Sequence, residues 1–207
     1  MTAERIALVD YGAGNLKSVE NALRAAGAGN VLVTSDAEAV RAADRIVLPG
    51  VGAFAACMGA LSALPGMVDA LDEAVRERAR PFLGICVGMQ LLADAGEEHG
   101  RQRGLGWIGG TVRLIEPADP SLKVPHMGWN DVTPAAPHPL VAAGEAYYLH
   151  SYAFHPADPA DLVARTDHGG PITAAVARDT VIGVQFHPEK SQAYGLAFLA
   201  RFLAWRP

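Results

Sequence analysis

The sequence predicts an α/β fold, with a mostly parallel central sheet flanked by helices and an antiparallel extension. Two observations carry this expectation. In the first half, short strands that are apolar throughout alternate with amphipathic helices, the pattern of a parallel sheet covered on both faces. In the second half, strand-like runs follow one another closely enough for several to pair as hairpins.

Residues 6–9 (IALV) form the first apolar run, closed by Asp10 and a glycine-rich turn. Leu16, Val19, Leu23 and Ala26 then fall near helical spacing, which predicts a helix over 16–26. Residues 31–34 (VLVT) read as a second strand, with Ser35 or Asp36 placed to cap a helix over 37–43. A third strand, 45–48 (RIVL), ends in the turn PGVG, and helical periodicity resumes over 54–61. Met67, Val68, Leu71, Ala74 and Val75 share one helical face, with charged residues outside. Residues 82–85 (FLGI) are the fourth strand, and a helix begins over 89–93. Further strands are expected at 107–115, 146–154, 162–166, 172–177 and 181–186. The Pro-rich stretch 117–139 reads as an irregular connection, and a helix over roughly 192–205 ends the chain. Neither repeats nor a linker interrupt this order, so residues 1–207 read as a single domain.

Half of the residues are hydrophobic and 19% are charged, the balance of a globular enzyme rather than a disordered chain. The net charge of −5, without a Lys/Arg cluster, excludes nucleic acid and anionic membrane surfaces as expected partners. Two cysteines in a chain this long do not make a disulfide framework, and no apolar run is long enough to span a bilayer. The N-terminus runs straight into a strand without a leader pattern, so a cytoplasmic protein is expected. The turn GAGN after the first strand fails as a dinucleotide fingerprint. Lys17 stands at the sixth position of G-x-G-x-x-G, and no acidic residue closes the second strand. The histidines and cysteines do not recur at metal-ligand intervals. No metal and no cofactor are expected.

Chemistry concentrates at GICVG, residues 84–88, which has the form of a strand-to-helix nucleophile turn with Cys86 at its apex. Flanking glycines relieve the crowding of such a turn, the following helix start favours a thiolate, and the Val87 N–H lies where an oxyanion would form. The pentapeptide alone leaves two readings open, a nucleophile and a buried structural thiol. Cys57, in the helical run FAACMGAL, reads as structural. A base for Cys86 is available in His187, at the end of VIGVQFHPE, where Glu189 lies two residues on and can fix the imidazole tautomer. Extended backbone would put His187 and Glu189 on one side over Pro188. Both Cys86 and His187 follow strand ends, which share one edge in a parallel sheet. PGVG, also at a strand end, can present peptide N–H groups as a second oxyanion arm. Among the other histidines, His126 and His150 are placed to line a pocket or sit in the core.

Seven segments extend the pattern over nearly the whole chain: DYGAGNLKSV at 10–19, LPGVGAF at 48–54, PFLGICVGMQLL at 81–92, GLGWIGGTV at 104–112, VPHMGWN at 124–130, YYLHSY at 147–152 and FHPEKSQ at 186–192. On these the chain resembles class I (triad) glutamine amidotransferases, and within that family the glutaminase subunits of imidazole glycerol phosphate synthase. The resemblance implies a flavodoxin-like class I glutamine amidotransferase fold. It also implies hydrolysis of L-glutamine to glutamate and ammonia by Cys86, His187 and Glu189 through a thioester. It assigns the oxyanion hole to Val87 with Gly50 and Val51, and substrate contacts to Gly52, Gln90, Ser151 and Tyr152. It further implies a heterodimer with a (β/α)8 cyclase subunit, which uses the ammonia in histidine biosynthesis to make imidazole glycerol phosphate and AICAR. Asn15, Trp129, Tyr147 and Lys190 match positions on the docking face. Three alternatives stand beside this reading: an amidotransferase subunit for another acceptor, a stand-alone cysteine hydrolase, and a non-enzymatic binding module with a structural Cys86.

Overall fold

The computed structural model describes residues 4–207, so the first three residues of the expected domain lie outside the described residues. Strands β1 (Arg5–Val9), β2 (Asn30–Thr34), β3 (Arg45–Gly50) and β4 (Phe82–Cys86) alternate with helices α1 (Leu16–Ala25), α2 (Ala37–Arg41), α3 (Phe54–Ala63) and α4 (Met67–Asp72). Asn15 caps α1 by accepting from the Ser18 N–H, and Asp36, rather than Ser35, caps α2 by accepting from Glu38. The face expected after Met67 is helical throughout, but its second half, Glu73–Glu77, is π-helical. The single-turn helix α5 (Val87–Gln90) starts directly at Cys86, earlier and shorter than the expected 89–93. With one turn it contributes little macrodipole; what it offers the cysteine is its unpaired first-turn N–H groups.

Beyond α5 come two short strands, β5 (Ala95–Gly96) and β6 (Gln102–Arg103), then β7 (Gly110–Leu114) and β8 (His126–Pro134). The chain continues through β9 (Gly144–His150), β10 (Tyr152–Pro156), β11 (Leu162–Asp167), β12 (Pro171–Arg178), β13 (Val181–Val184) and α6 (Gln192–Ala204). The main sheet runs β2-β1-β3-β4-β13-β12-β11-β8-β9, with its first five strands parallel and the rest antiparallel. A smaller sheet, β10-β7-β5-β6, lies beside it. Two groups of helices flank the strands, α1 with α6, and α2 and α3 with α4.

Two expectations are corrected here. The stretch 117–139 is not irregular throughout, because nine of its residues form β8. Its inward positions His126, Gly128, Asn130 and Val132 alternate with outward Met127, Trp129 and Asp131, but the first half sets polar His126 and Asn130 inward and apolar Met127 and Trp129 outward, which disguises the strand pattern. The run 146–154 is two strands in different sheets, β9 and β10, which part at Ser151.

The centre of the parallel sheet is set by close backbone approaches. Gly50 pairs with Cys86 across β3 and β4, and Val184 with Ile85 across β13 and β4. A Cβ on Gly88 would stand 1.9 Å from the Leu48 carbonyl oxygen, and one on Gly84 would stand 2.6 Å from the Gly88 carbonyl. Gly50 is confined likewise, 2.7 Å from the Gly88 nitrogen, and its φ is not positive. Its glycine answers a close contact rather than an unusual dihedral.

Gly88→Ala is therefore expected to cost roughly 2–4 kcal/mol or to prevent folding, because backbone must move. Gly59→Ala, on the open side of α3 with nothing within 4 Å of an added Cβ, is expected to stabilise by about 0.5–1 kcal/mol. Urea unfolding of both variants checks the pair.

Candidate active site

Cys86 ends β4 with φ 55° and ψ −113°, a strained conformation for a residue with a Cβ. The turn aims its side chain into a cavity of about 150 Å³ at the carboxyl ends of β3, β4 and β13. Val51, Gly52, Val87, Gln90, Ser151, Tyr152, His187 and Lys190 line the same cavity, so most of the residues singled out in the sequence converge there. Gly50 forms the wall behind Val87, and Glu189 lies behind His187.

His187 lies beyond the end of β13, and Pro188–Lys190 is a 3₁₀ turn rather than extended backbone. The two side chains meet because Pro188, with φ fixed near −65°, opens that turn, not because a strand alternates. His187 Nδ1 is 2.8 Å from Glu189 Oε1, with both side chains buried. Burial opposes charge on His187, but hydrogen bonding to Cys86 and Glu189 and the attraction of both groups outweigh it, pushing its pKa up to about 10. A protonated imidazole beside Cys86 is an electrostatic setting that favours a thiolate. Glu189 Oε2 is buried without a partner in the described structure.

The turn is bolted to β9 through its backbone. His187 N–H donates to the Tyr147 carbonyl at 2.9 Å, Tyr147 N–H donates to Ser191 Oγ at 2.9 Å, and the Ser191 hydroxyl donates to the His187 carbonyl at 2.6 Å. On the other side of Cys86, two side chains hold the PGVG loop. Tyr11 donates to the Pro49 carbonyl at 2.7 Å, and the buried Cys57 thiol donates to the Val51 carbonyl at 3.4 Å. The Gly50–Val51 peptide thus lies between two anchored carbonyls. Burial keeps both the Tyr11 hydroxyl and the Cys57 thiol protonated, as this donation requires. Cys57 is structural, as its sequence context indicates.

Three site residues, Gln185, Glu98 and Leu149, were not legible as such, whereas His150 lines the pocket as one of its two sequence readings allowed. Gln185, fully buried just past β13, places its side-chain nitrogen 3.6 Å from Cys86 Sγ and its oxygen 3.0 Å from Gln90 Nε2. Glu98 lines the cavity and accepts from the Phe54 N–H at 2.8 Å. Leu149 and His150 complete the wall. The run VIGVQFHP marks Gln185 only as the polar residue of a buried segment, which was the available signal.

Outside the cavity mouth, Trp129 and Tyr147 face each other across β8 and β9, with ring centroids 6.3 Å apart. Lys190 Nζ lies 5.8 Å from the Tyr147 ring centroid. Met127, 65% exposed, and Trp129, 48% exposed, share this outward face with Leu149. Asn15 does not reach the cavity; it caps α1, which packs beside the 188–190 turn.

On the inward face of the same strands, buried His126 and His150 form one chain of hydrogen bonds. Asn130 Nδ2 is 3.0 Å from His126 Nε2, His126 Nδ1 is 3.0 Å from His150 Nε2, and His150 Nδ1 is 2.8 Å from the Tyr152 carbonyl. Because that carbonyl only accepts, both rings are fixed as neutral Nδ1–H tautomers. Burial, with the neighbouring His168, lowers His126 to about 4; burial, opposed by the bond to Tyr152, lowers His150 to about 3.

The sign of the linkage follows. These two rings stay neutral in the folded state while their unfolded counterparts take up protons below about pH 6.5, so stability falls as pH drops. His187 runs oppositely: its contribution is present below about pH 6.5 and is lost as pH rises through about 10. His126→Gln is expected to flatten the pH dependence of stability between pH 6.5 and 4 by about one proton, or ~1.4 kcal/mol per pH unit. Urea unfolding across that range checks it.

Known proteins share both fold and sequence. The family model described as glutamine amidotransferase class-I matches residues 7–204. The imidazole glycerol phosphate synthase subunit HisH of Zymomonas mobilis is 64% identical over 98% of this chain and 96% of that one. Its counterpart from Rhodospirillum rubrum is 57% identical over 98% and 100% of the two chains. The solved structure of PurLQS from Thermotoga maritima superposes with a TM-score of 0.71 at 19% identity, covering 98% of this chain and 99% of that one, a likeness of fold. Near-full-length identity at this level, over a chain whose cysteine turn and His-Pro-Glu turn meet at one cavity, means that this chain belongs to the class I glutamine amidotransferase family, among the HisH subunits of imidazole glycerol phosphate synthase.

Proposed function

We propose that residues 1–207 act as one amidotransferase domain in which Cys86, His187 and Glu189 hydrolyse L-glutamine. The observation that carries the proposal is their convergence: the Cys86 turn, the buried His187–Glu189 pair and the PGVG loop all border one cavity. The Cys86 thiolate attacks the side-chain carboxamide carbon, and the oxyanion is received by the Val87 N–H and the Gly50–Val51 peptide. His187 gives its proton to the nitrogen as the C–N bond breaks, releasing ammonia and leaving a γ-glutamyl thioester. The neutral His187 then takes a proton from water, which attacks the thioester and releases glutamate and the thiolate. Glu189 holds the imidazole by Nδ1 in both steps.

The rest of the cavity fits a free amino acid. Glu98 is the acidic side chain in its wall and matches an ammonium group, while Gly52, Gln90, Ser151 and Tyr152 supply polar contacts. The exposed face of Met127, Trp129, Tyr147 and Leu149, with Lys190 beside it, continues from the cavity mouth and suits a protein partner. The partner we assign is a (β/α)8 cyclase subunit that forms a heterodimer, takes the ammonia and makes imidazole glycerol phosphate and AICAR; Asn15 belongs to the rim of that face. Two buried free thiols favour a reducing, cytoplasmic setting. Among the described residues, no single helix is long and apolar enough to cross a membrane.

The Gly50–Val51 peptide is the element through which the partner would switch activity, since rotation about it turns either a carbonyl or an N–H toward the oxyanion. Glutamate release by wild type is expected to be slow alone and to rise at least ~10-fold with the cyclase subunit and its nucleotide ligand. Equal rates in both states would exclude the switch. Cys86→Ala is expected to lose at least ~1000-fold under both conditions; persistent activity would exclude the mechanism. Glu98→Gln is expected to raise KM for glutamine by about 10-fold with kcat nearly unchanged, and steady-state kinetics of the complex check this.

A further inference from the structure

The buried hydrogen bonds around Cys86 have a direction that can be worked out atom by atom. A carbonyl oxygen only accepts, so the Gln90 atom 3.1 Å from the Tyr152 carbonyl is its amide nitrogen. The same nitrogen lies 3.0 Å from the Gln185 side chain, so the Gln185 atom facing it is the amide oxygen. The remaining terminal atom of Gln185 is therefore its nitrogen, and this stands 3.6 Å from Cys86 Sγ, a separation that suits an N–H donor to the larger sulfur atom. Inverting the Gln185 amide would set two N–H₂ groups against each other, and full burial leaves no water to relieve the clash.

We infer that Gln185 is a catalytic hydrogen-bond donor to the Cys86 sulfur, held in its donating orientation through Gln90 by the Tyr152 carbonyl. The inference rests on the reading of Cys86 as the nucleophile and adds a residue to it. In the first step the amide N–H stabilises the attacking thiolate; in the second it receives the thiolate that leaves the thioester. Neither step transfers a proton to Gln185. A second consequence concerns Gln90. Both hydrogens of its amide nitrogen are used, one by Tyr152 and one by Gln185, so its oxygen is the group left to face the cavity as an acceptor.

The test is alkylation of Cys86 by iodoacetamide in the full chain as a function of pH, followed by the mass of the Cys86 peptide and separated from Cys57 by peptide mapping. Gln185→Leu removes the donor, and the isosteric Gln185→Glu keeps the oxygen facing Gln90 while setting a carboxylate beside the sulfur. The midpoint of the alkylation profile is expected to move up by about one pH unit in the first variant and further in the second. In the complex, kcat/KM for glutamine at pH 7 is expected to fall ~10-fold or more in both variants and to recover partly at higher pH. Thermal melts establish that the variants are folded; if the leucine variant is not, Gln185→Glu decides. Profiles superimposable on wild type in a folded variant would overturn the role of Gln185 while leaving the nucleophile in place. Undiminished glutamate release by Cys86→Ala would instead overturn the reading on which it rests.

Discussion

The structure depends most on the contact of three backbones at Gly50, Gly84 and Gly88. Their missing side chains let β3, β4 and the first turn of α5 approach until an added Cβ would meet backbone atoms at 1.9–2.7 Å. That approach holds Cys86 at φ 55°, a conformation that costs on the order of 1–3 kcal/mol and persists only where its surroundings over-determine it. The return is geometric. The thiol leaves the sheet at its carboxyl edge, the Val87 N–H follows it, and the Gly50–Val51 peptide runs alongside. A single alanine in this contact would separate elements that the chemistry needs together.

Once the sulfur is fixed, the same low-polarity surroundings sort the buried histidines by their partners. His126 and His150 sit among neutral acceptors and donors, and burial keeps them uncharged far below neutral pH. His187 is also enclosed, yet the Glu189 carboxylate on Nδ1 and the hydrogen bonding and attraction of Cys86 hold it charged. Desolvation acts on all three; the sign of the outcome is set by whether an opposite charge shares the enclosure. The Tyr152 carbonyl then orders the neutral part of the network, since the His150 ring and the Gln90 amide both donate to it.

Much of this was legible in the chain. Uniformly apolar strands gave the parallel half of the sheet, and cysteine between glycines, His-Pro-Glu and PGVG each marked a strand end. What the sequence could not show has physical causes. β8 was hidden because it buries histidine and asparagine while exposing methionine and tryptophan, the reverse of the pattern that signals a half-buried strand. The break at Ser151 was hidden because YYLHSYAF keeps its strand character while the chain changes sheets. His187 and Glu189 were paired correctly for the wrong local reason, a strand in place of a proline-initiated turn. Gln185 escaped because its role lies in the direction of its amide, which spacing does not encode.

The inverted pattern of β8 also ties the exposed aromatic face to the cavity wall. The outward side chains of β8 and β9 form the exposed aromatic face, while the inward side chains of the same strands carry the histidine chain to Tyr152. Tyr147 belongs to both sides, since its ring faces Trp129 and Lys190 while its backbone accepts from His187 and donates to Ser191. A displacement of β9 is passed by these bonds to the backbone that carries His187. On the proposed function, a partner docked on this face would bear on His187 through the main-chain bond to Tyr147 and through the Ser191 hydroxyl, and on Gln90 through the Tyr152 carbonyl. The PGVG peptide, held by Tyr11 and Cys57 from the other side, stays a separate element. In the proposed mechanism the base, His187, and the oxyanion arm, PGVG, are thus anchored to different parts of the fold, one to β9 and the other to Tyr11 and Cys57.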